Sequence, residues 1–414
     1  MKIPEINSVC YIGAGSMGCY NSLLAALVGY RVALYDISQE TLDQVDLRQR
    51  AFGDSIVAAG LCLQEHIDQA LSLVTLHSDL ESIAESIDLV SESITEELDI
   101  KRATHHHLDG VFPAKTIITT NTSALLVSEI EDVVQRGDKF AALHSHLGST
   151  LVDIVGGPRT SPETIDILQR YVLSLNCVPM LSKKENPGYI FNAMFGPLLS
   201  KGLKLVIEGA ASPEEVDLAW MLNRTTPIGP FGLMDYLGLN VIHDGWARER
   251  REPDPLGFQE KILQFLSPLV EQNTLGVKTG KGFYNYPQPT YQQPEFYQPK
   301  RDLAPICSSL VGELILAAIL IAEKQVATPE TIDLAWTVAT SLDKGPFEIL
   351  HEMGVEQFMG ILESQFEQPF HDPSALAIAA KYLADEHVTG EHVTGEHVAK
   401  KHLAKKQSKI RAAS

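Results

Sequence analysis

The first residues with the types and spacing to do chemistry form a turn. Gly13-Ala14-Gly15-Ser16-Met17-Gly18 reads G-x-G-x-x-G and follows the short apolar run Val9-Cys10-Tyr11-Ile12. A helical stretch carrying Leu23, Leu24, Leu27 and Val28 comes next, then a strand over 31–35 that ends in Asp36. Gly13 permits the tight turn, Gly15 leaves room for a pyrophosphate, and Gly18 lets helix and strand pack closely. The helix start at Ser16 and Met17 offers free N–H groups and a partial positive charge to phosphates. Asp36 lies eighteen positions past Gly18, where a carboxylate can accept both ribose hydroxyls and repel a 2′-phosphate. The stretch therefore implies NAD rather than NADP. An alcohol that gives up a hydride also needs a base for its proton, and an imidazole suits the task because it titrates near neutrality. His144 has the position for that role, and Asp153 is a nearby carboxylate able to fix its tautomer and steady its cation. His146 competes with His144, whereas His105, His106 and His107 read as a polar helix face.

These groups need a scaffold that gathers them at one edge. Apolar strands at 73–76, 89–90, 116–120 and 140–143 alternate with helical stretches over 39–70 (broken near Gly60), 79–87 and onward from Glu97. That alternation predicts a doubly wound parallel sheet, whose ligands sit at the carboxyl ends of the strands. Glu96, Ser123 and His144 all fall just past strand ends, so one cleft would hold them.

Past Pro187-Gly188 the strand pattern stops and a long apolar helix is expected over 189–207. The helical part repeats itself. Ala211-Ser212-Pro213-Glu214-Glu215-Val216-Asp217-Leu218-Ala219-Trp220 recurs as Ala327-Thr328-Pro329-Glu330-Thr331-Ile332-Asp333-Leu334-Ala335-Trp336, and Gly229-Pro230-Phe231 as Gly345-Pro346-Phe347. Ser or Thr before Pro-Glu caps a helix start with Pro at its first position. The proline-rich stretch 286–300 reads as an extended linker. The expected class is an α/β Rossmann-type doubly wound domain followed by all-α helical domains. Its parts are an NAD-binding lobe over 1–183, helical units over 184–295 and 300–380, and a low-complexity tail over 381–414.

The net charge of −20 argues against nucleic acid or an anionic membrane as the main partner. Five scattered cysteines suggest free thiols in a reducing compartment, with the cytoplasm as the default. The apolar run 310–322 is interrupted by Glu313 and reads as too short to span a bilayer. In the tail, Glu386-His387-Val388-Thr389-Gly390 repeats every five residues. Metal ligands usually recur at three or four, so a frayed tail is the expectation and no metal site is expected.

The chain resembles the 3-hydroxyacyl-CoA dehydrogenase family. Ile12-Gly13-Ala14-Gly15-Ser16-Met17-Gly18, Leu34-Tyr35-Asp36, Asp88 through Lys101, Thr120-Asn121-Thr122-Ser123, Asn186-Pro187-Gly188-Tyr189-Ile190-Phe191-Asn192, Pro227 through Phe231 and Lys278 through Tyr284 follow its motifs in order. The resemblance implies NAD in the first lobe, a small-molecule acyl-CoA substrate, and oxidation of a (3S)-hydroxyacyl-CoA to the 3-oxoacyl-CoA. It implies His144 as acid/base with Asp153 as partner, Ser123 and Asn192 at the substrate oxygen and pocket, and Glu96 and Lys101 beside the cofactor. It places the chain in fatty acid metabolism and β-oxidation. Relatives with one helical domain dimerise through it, so a second copy in the same chain would pack on the first, giving a monomer or a homodimer through the helical domains.

The departures lie around the base. The family's H-F-F-N-P is His144-Ser145-His146-Leu147-Gly148, its glutamate is Asp153 after a loop about three residues shorter, and Ala193 replaces an arginine. A shortened loop would move Asp153 away from His144 or reshape the pocket. Two other functions remain open: a dehydrogenase of a free 3-hydroxy acid such as carnitine or gulonate, and an NAD-binding protein without turnover.

Overall fold

The computed structural model describes residues 2–248, 257–366 and 373–384. The described chain divides into two compact units, one of 2–191 with 325–339, the other of 192–324 with 340–384.

The first unit is built on an eight-stranded sheet. Along the chain it runs β1 (Ser8–Ile12), α1 (Ser16–Leu27), β2 (Arg31–Tyr35), α2 (Gln39–Asp43), α3 (Val45–Ala58), α4 (Gln64–Leu71), β3 (Val74–His77), β4 (Leu89–Glu92), α5 (Leu98–Val111), β5 (Ile117–Thr120), β6 (Phe140–Ser145), β7 (Leu151–Gly156), α6 (Pro162–Ser174) and β8 (Val178–Ser182). The spatial order is β3-β2-β1-β4-β5-β6-β7-β8. β1 is central, and its side chains alternate between two cores: Val9 and Tyr11 join one, Cys10 and Ile12 the other. Burial on both faces is why such a strand reads as an unbroken apolar run.

The parallel expectation holds for the first six strands and fails at β7, which pairs antiparallel with β6. A parallel return needs a crossover of a dozen or more residues, and 146–150 is far too short, so the chain must turn back as a hairpin. β8 then pairs parallel with β7, across the α6 crossover. Three other expectations need correction. The stretch 79–87 holds only a single 3-10 turn, Ala84–Ser86. The region 39–70 is three helices, interrupted at Gln44 as well as near Gly60. His105 is not on a polar face: it is fully buried and paired with Glu92.

The second unit, together with residues that rejoin the first, contains α7 (Asn192–Ile207), α8 (Pro213–Arg224), α9 (Pro230–Leu237), α10 (Leu239–Ala247), α11 (Phe258–Glu271), α12 (Ala304–Glu323), α13 (Pro329–Thr340), α14 (Pro346–Met353), α15 (Val355–Phe366) and α16 (Pro373–Ala384). Helix α7 starts three residues later than expected. Ser212 caps α8 reciprocally with Glu215, as its sequence predicts. Asp217 then accepts the N–H groups of Phe231 (2.7 Å) and Gly232 (2.9 Å) at the start of α9. Asp235 accepts those of Phe283 and Tyr284, both at 2.9 Å. A Cβ on Gly282 would lie 2.0 Å from Asp235 Oδ1, so the Gly-Lys-Gly motif makes room for that carboxylate.

Helix α12 of the second copy packs against α7 and α8 of the first, and also against α14, α15 and α16. Its 20 residues are long and apolar enough to cross a membrane, so the length argument made from 310–322 is wrong. The helix is mostly buried by its neighbours, as a core helix is. The stretch 286–300 is not merely extended: it folds into two 3-10 turns, with Tyr291 buried against the Tyr284 ring at 5.0 Å. An aromatic between the prolines gives the segment something to bury. The histidine repeat of the tail lies outside the described residues.

Candidate active site

The glycine turn joins β1 to α1. Gly13 has φ +96° and backs onto Ser93, whose carbonyl oxygen would lie 2.5 Å from an added Cβ. At Gly18 a Cβ would fall 1.8 Å from the Gly13 oxygen, so helix and turn touch backbone to backbone. Gly15 has nothing within 4 Å of where a Cβ would stand, so its backbone can be approached closely by a pyrophosphate. It also caps α1 without a side chain, so no side-chain oxygen competes for the helix N–H groups near Ser16 and Met17. Asp36, at the end of β2, ties the turn down: Oδ2 accepts from Ala14 N (2.8 Å) and Oδ1 from Ser38 N (2.9 Å). Arg48 adds a bond to the Ala14 oxygen at 2.9 Å, a contact that spacing along the chain did not disclose. Open backbone, uncapped helix start and carboxylate at the strand end together fit NAD.

Further along the sheet, beyond β4 and β5, the β6–β7 hairpin places His144 directly opposite Asp153. His144 Nδ1 is 3.0 Å from Asp153 Oδ2. The shortened loop therefore does not part them. An antiparallel register brings the two residues face to face across one rung, whatever the loop discards. The same Oδ2 meets His146 Nε2 at 2.8 Å. An ionised carboxylate only accepts, so Nδ1–H of His144 and Nε2–H of His146 are the donors, and His144 Nε2 keeps its lone pair. Burial pushes the His144 imidazole below its ordinary value, reinforced by His146 and opposed by Asp153 and Glu96. For Asp153, burial works upward, but the bonds from His144 and His146 outweigh it and hold the carboxyl below its usual value. His144, His146 and Asp153 offer ligand atoms within 4.8 Å of one another, a spacing that two hydrogen bonds to one oxygen already explain.

Glu96 organises the next strand end. Its Oε1 accepts from Thr122 Oγ1, Ser123 N (2.8 Å) and Ala124 N (2.9 Å), with Ser123 Oγ at 3.4 Å. Behind it Lys101, 1% exposed, reaches Glu92 at 2.6 Å and Glu96 at 3.4 Å. Lys101 thus acts through Glu96 and does not line the cleft. Burial would raise the Glu92 carboxyl, but His105 and Lys101 hold it at about 2. Asn121 Oδ1 accepts from Ser145 N at 2.8 Å, tying the Asn-Thr-Ser turn to the strand that carries His144.

Aromatic rings close the back of the hairpin. Gly188 and Tyr189 both take positive φ, and the turn drops Tyr189 beside His144, ring centroids 5.4 Å apart, with its hydroxyl donating to Thr122 O. His146 meets Phe191 at 5.3 Å, and Phe191 meets Trp336 at 5.8 Å. Trp336 stands on α13, in the second copy of the repeat, and nothing in its own sequence neighbourhood pointed to this wall. Asn192 opens α7 as the first residue of the second unit and is half-buried.

Residues 8–185 match the family model for the 3-hydroxyacyl-CoA dehydrogenase NAD binding domain, and 188–286 and 306–407 each match that for its C-terminal domain. The chain belongs to the 3-hydroxyacyl-CoA dehydrogenase family. The double match of the C-terminal model is the repeat seen in the sequence. This dehydrogenase is 34% identical over 296 residues to the human protein named hydroxyacyl-coenzyme A dehydrogenase, mitochondrial, across 68% of its own length and 91% of the relative's. Among solved structures it resembles a diketoreductase acting on dicarbonyl compounds, at 30% identity and TM-score 0.62, over 69% of this chain and 100% of that one. A 3-hydroxybutyryl-CoA dehydrogenase from Escherichia coli K12 shares the fold at TM-score 0.73 and 22% identity, over 92% of this chain and 99% of that one. The dehydrogenase is an NAD-dependent oxidoreductase.

Proposed function

We propose that this NAD-dependent hydroxyacyl-CoA dehydrogenase oxidises the 3-hydroxyl of a (3S)-hydroxyacyl-CoA to the 3-oxo ester, reversibly, with His144 as acid/base. The observation that carries the reading is the buried His144–Asp153 pair, 3.0 Å apart, on the same sheet as a glycine turn open to a dinucleotide. NAD, when bound, supplies the hydride acceptor. His144 Nε2 takes the hydroxyl proton as the hydride leaves the carbon, and in the reverse direction returns it to the forming alkoxide. Asp153 holds Nδ1–H, which fixes the tautomer, and its charge steadies the imidazolium. Glu96 pins the backbone of Ser123, whose hydroxyl is assigned to the substrate oxygen. Gly13, Gly15, Ser16, Met17, Gly18 and Asp36 are assigned to the dinucleotide.

The test is NADH formation from (S)-3-hydroxybutyryl-CoA beside free 3-hydroxybutyrate, carnitine and gulonate. Turnover confined to the CoA ester supports the reading. Turnover confined to a free acid favours the second reading, which the altered loop 146–150 recommends. We also propose that the enzyme serves β-oxidation, in keeping with its family, and that it is cytoplasmic, on the ground that the five cysteines are all free thiols. Cell fractionation tests the compartment.

A further inference from the structure

His146 has no part in the reaction described above, yet it is bound to the same carboxylate oxygen as the base. Both imidazoles donate to Asp153 Oδ2, while Oδ1, equally buried, meets no donor among the described residues. The two rings lie edge to face at 4.4 Å and 75°. His146 is itself held in place by Phe191 on its far side, and its side chain is only 11% exposed. This is not a surface histidine that happens to reach inward.

We propose that His146 is a positioning residue for the reaction: by sharing Asp153 Oδ2 with His144 it limits how strongly the carboxylate backs the base, and so sets the pH range in which His144 takes a proton. This rests on the reading that His144 is the acid/base. An ionised carboxylate oxygen that accepts from two N–H groups gives less of its charge to either, and donation from His146 leaves less to stabilise a cation on His144. The effect of His146 on His144 is downward, the effect of Asp153 upward. The titratable groups facing His144 are these two on the hairpin, Glu96 from the loop after β4, and Tyr189 from the turn before α7, whose hydroxyl is turned to Thr122 O. Removing His146 frees Oδ2 for His144 alone and leaves Glu96 and Tyr189 unchanged.

The experiment is the pH profile of kcat/KM for oxidation in the full chain, wild type against His146→Phe and His146→Gln. Phenylalanine keeps a ring against Phe191 and removes the donor. Glutamine keeps a neutral N–H of similar reach. The acid limb of His146→Phe is expected about one unit higher than wild type, because the base then holds its proton to higher pH, while His146→Gln keeps its limb near the wild-type position. NAD binding equal to wild type certifies each fold, and His146→Leu is read by the same criterion if the phenylalanine variant does not fold. Superimposed limbs for wild type and the donor-less variant overturn the proposal. A glutamine limb displaced as far as that of phenylalanine overturns it as well, since a retained hydrogen bond would then be without effect. Failure of the wild type to turn over (S)-3-hydroxybutyryl-CoA defeats the substrate assignment instead, and the same profiles are then measured with whichever 3-hydroxy compound is oxidised.

Discussion

At the scale of single residues, the site turns on where protons and charges are allowed to rest. His144→Ala should lower kcat by about 10²–10⁴-fold, the usual share of a general base, with NAD binding unchanged in a fluorescence titration. The pH dependence has a definite sign. Burial and His146 hold the His144 imidazole below its ordinary value, so the neutral base persists to lower pH than a free histidine would allow. Oxidation should stay active down to that point and fall as pH drops through it, which a pH–rate profile measures. Lys101→Met should destabilise the protein by about 3–5 kcal/mol, the cost of leaving a buried charge short of its partner. Glu92 loses its 2.6 Å cation and Glu96 its 3.4 Å one. Thermal unfolding would register it, and a change under 1 kcal/mol would refute the account. His144, Asp36 and Glu96 were readable from the sequence because each stands at or just past the end of an apolar strand, and Asp153 because it is a carboxylate close to His144 along the chain. His105 and His146 were misplaced or left undecided because their partners, Glu92 and Asp153, come from other strands. Helical or loop position alone does not say which way an imidazole turns.

At the scale of elements, order and type were readable where an apolar run met a capping or turning residue. The capping box at Ser212 and the glycine turn after β1 are of this kind. Strand direction was not readable at β7, since direction follows from how much chain lies between two strands and the strand itself carries no mark of it. The helical motifs hold a second lesson. Pro227 through Phe231 and Lys278 through Tyr284 recur in the family pattern, and here two buried aspartates explain them. Asp217 and Asp235 each take two backbone N–H groups from a segment distant in sequence. Asp235→Ala strands the amides of Phe283 and Tyr284, at about 1–3 kcal/mol for each unsatisfied buried donor. Asp235→Asn, with one acceptor left, should lose less. Chemical denaturation of the two variants gives the comparison.

At the scale of the whole molecule, the apolar flank of α7 and α8 is covered from within, by α12 of the second copy. Sedimentation should therefore find a single species near 45.5 kDa at micromolar concentration. A stable dimer would show that the internal copy leaves another helical face to be shared. Nor is the duplication a simple appendage. The chain leaves the first unit at Phe191, returns to it over 325–339, and departs again. During that return Lys183 N bonds to Val326 O at 2.7 Å, and Trp336 reaches the ring that backs His146. Deleting the second copy would thus remove Trp336 from Phe191, the ring that backs His146. The second copy is part of the first unit's own packing, and cutting it away would open that unit as well as shorten the chain.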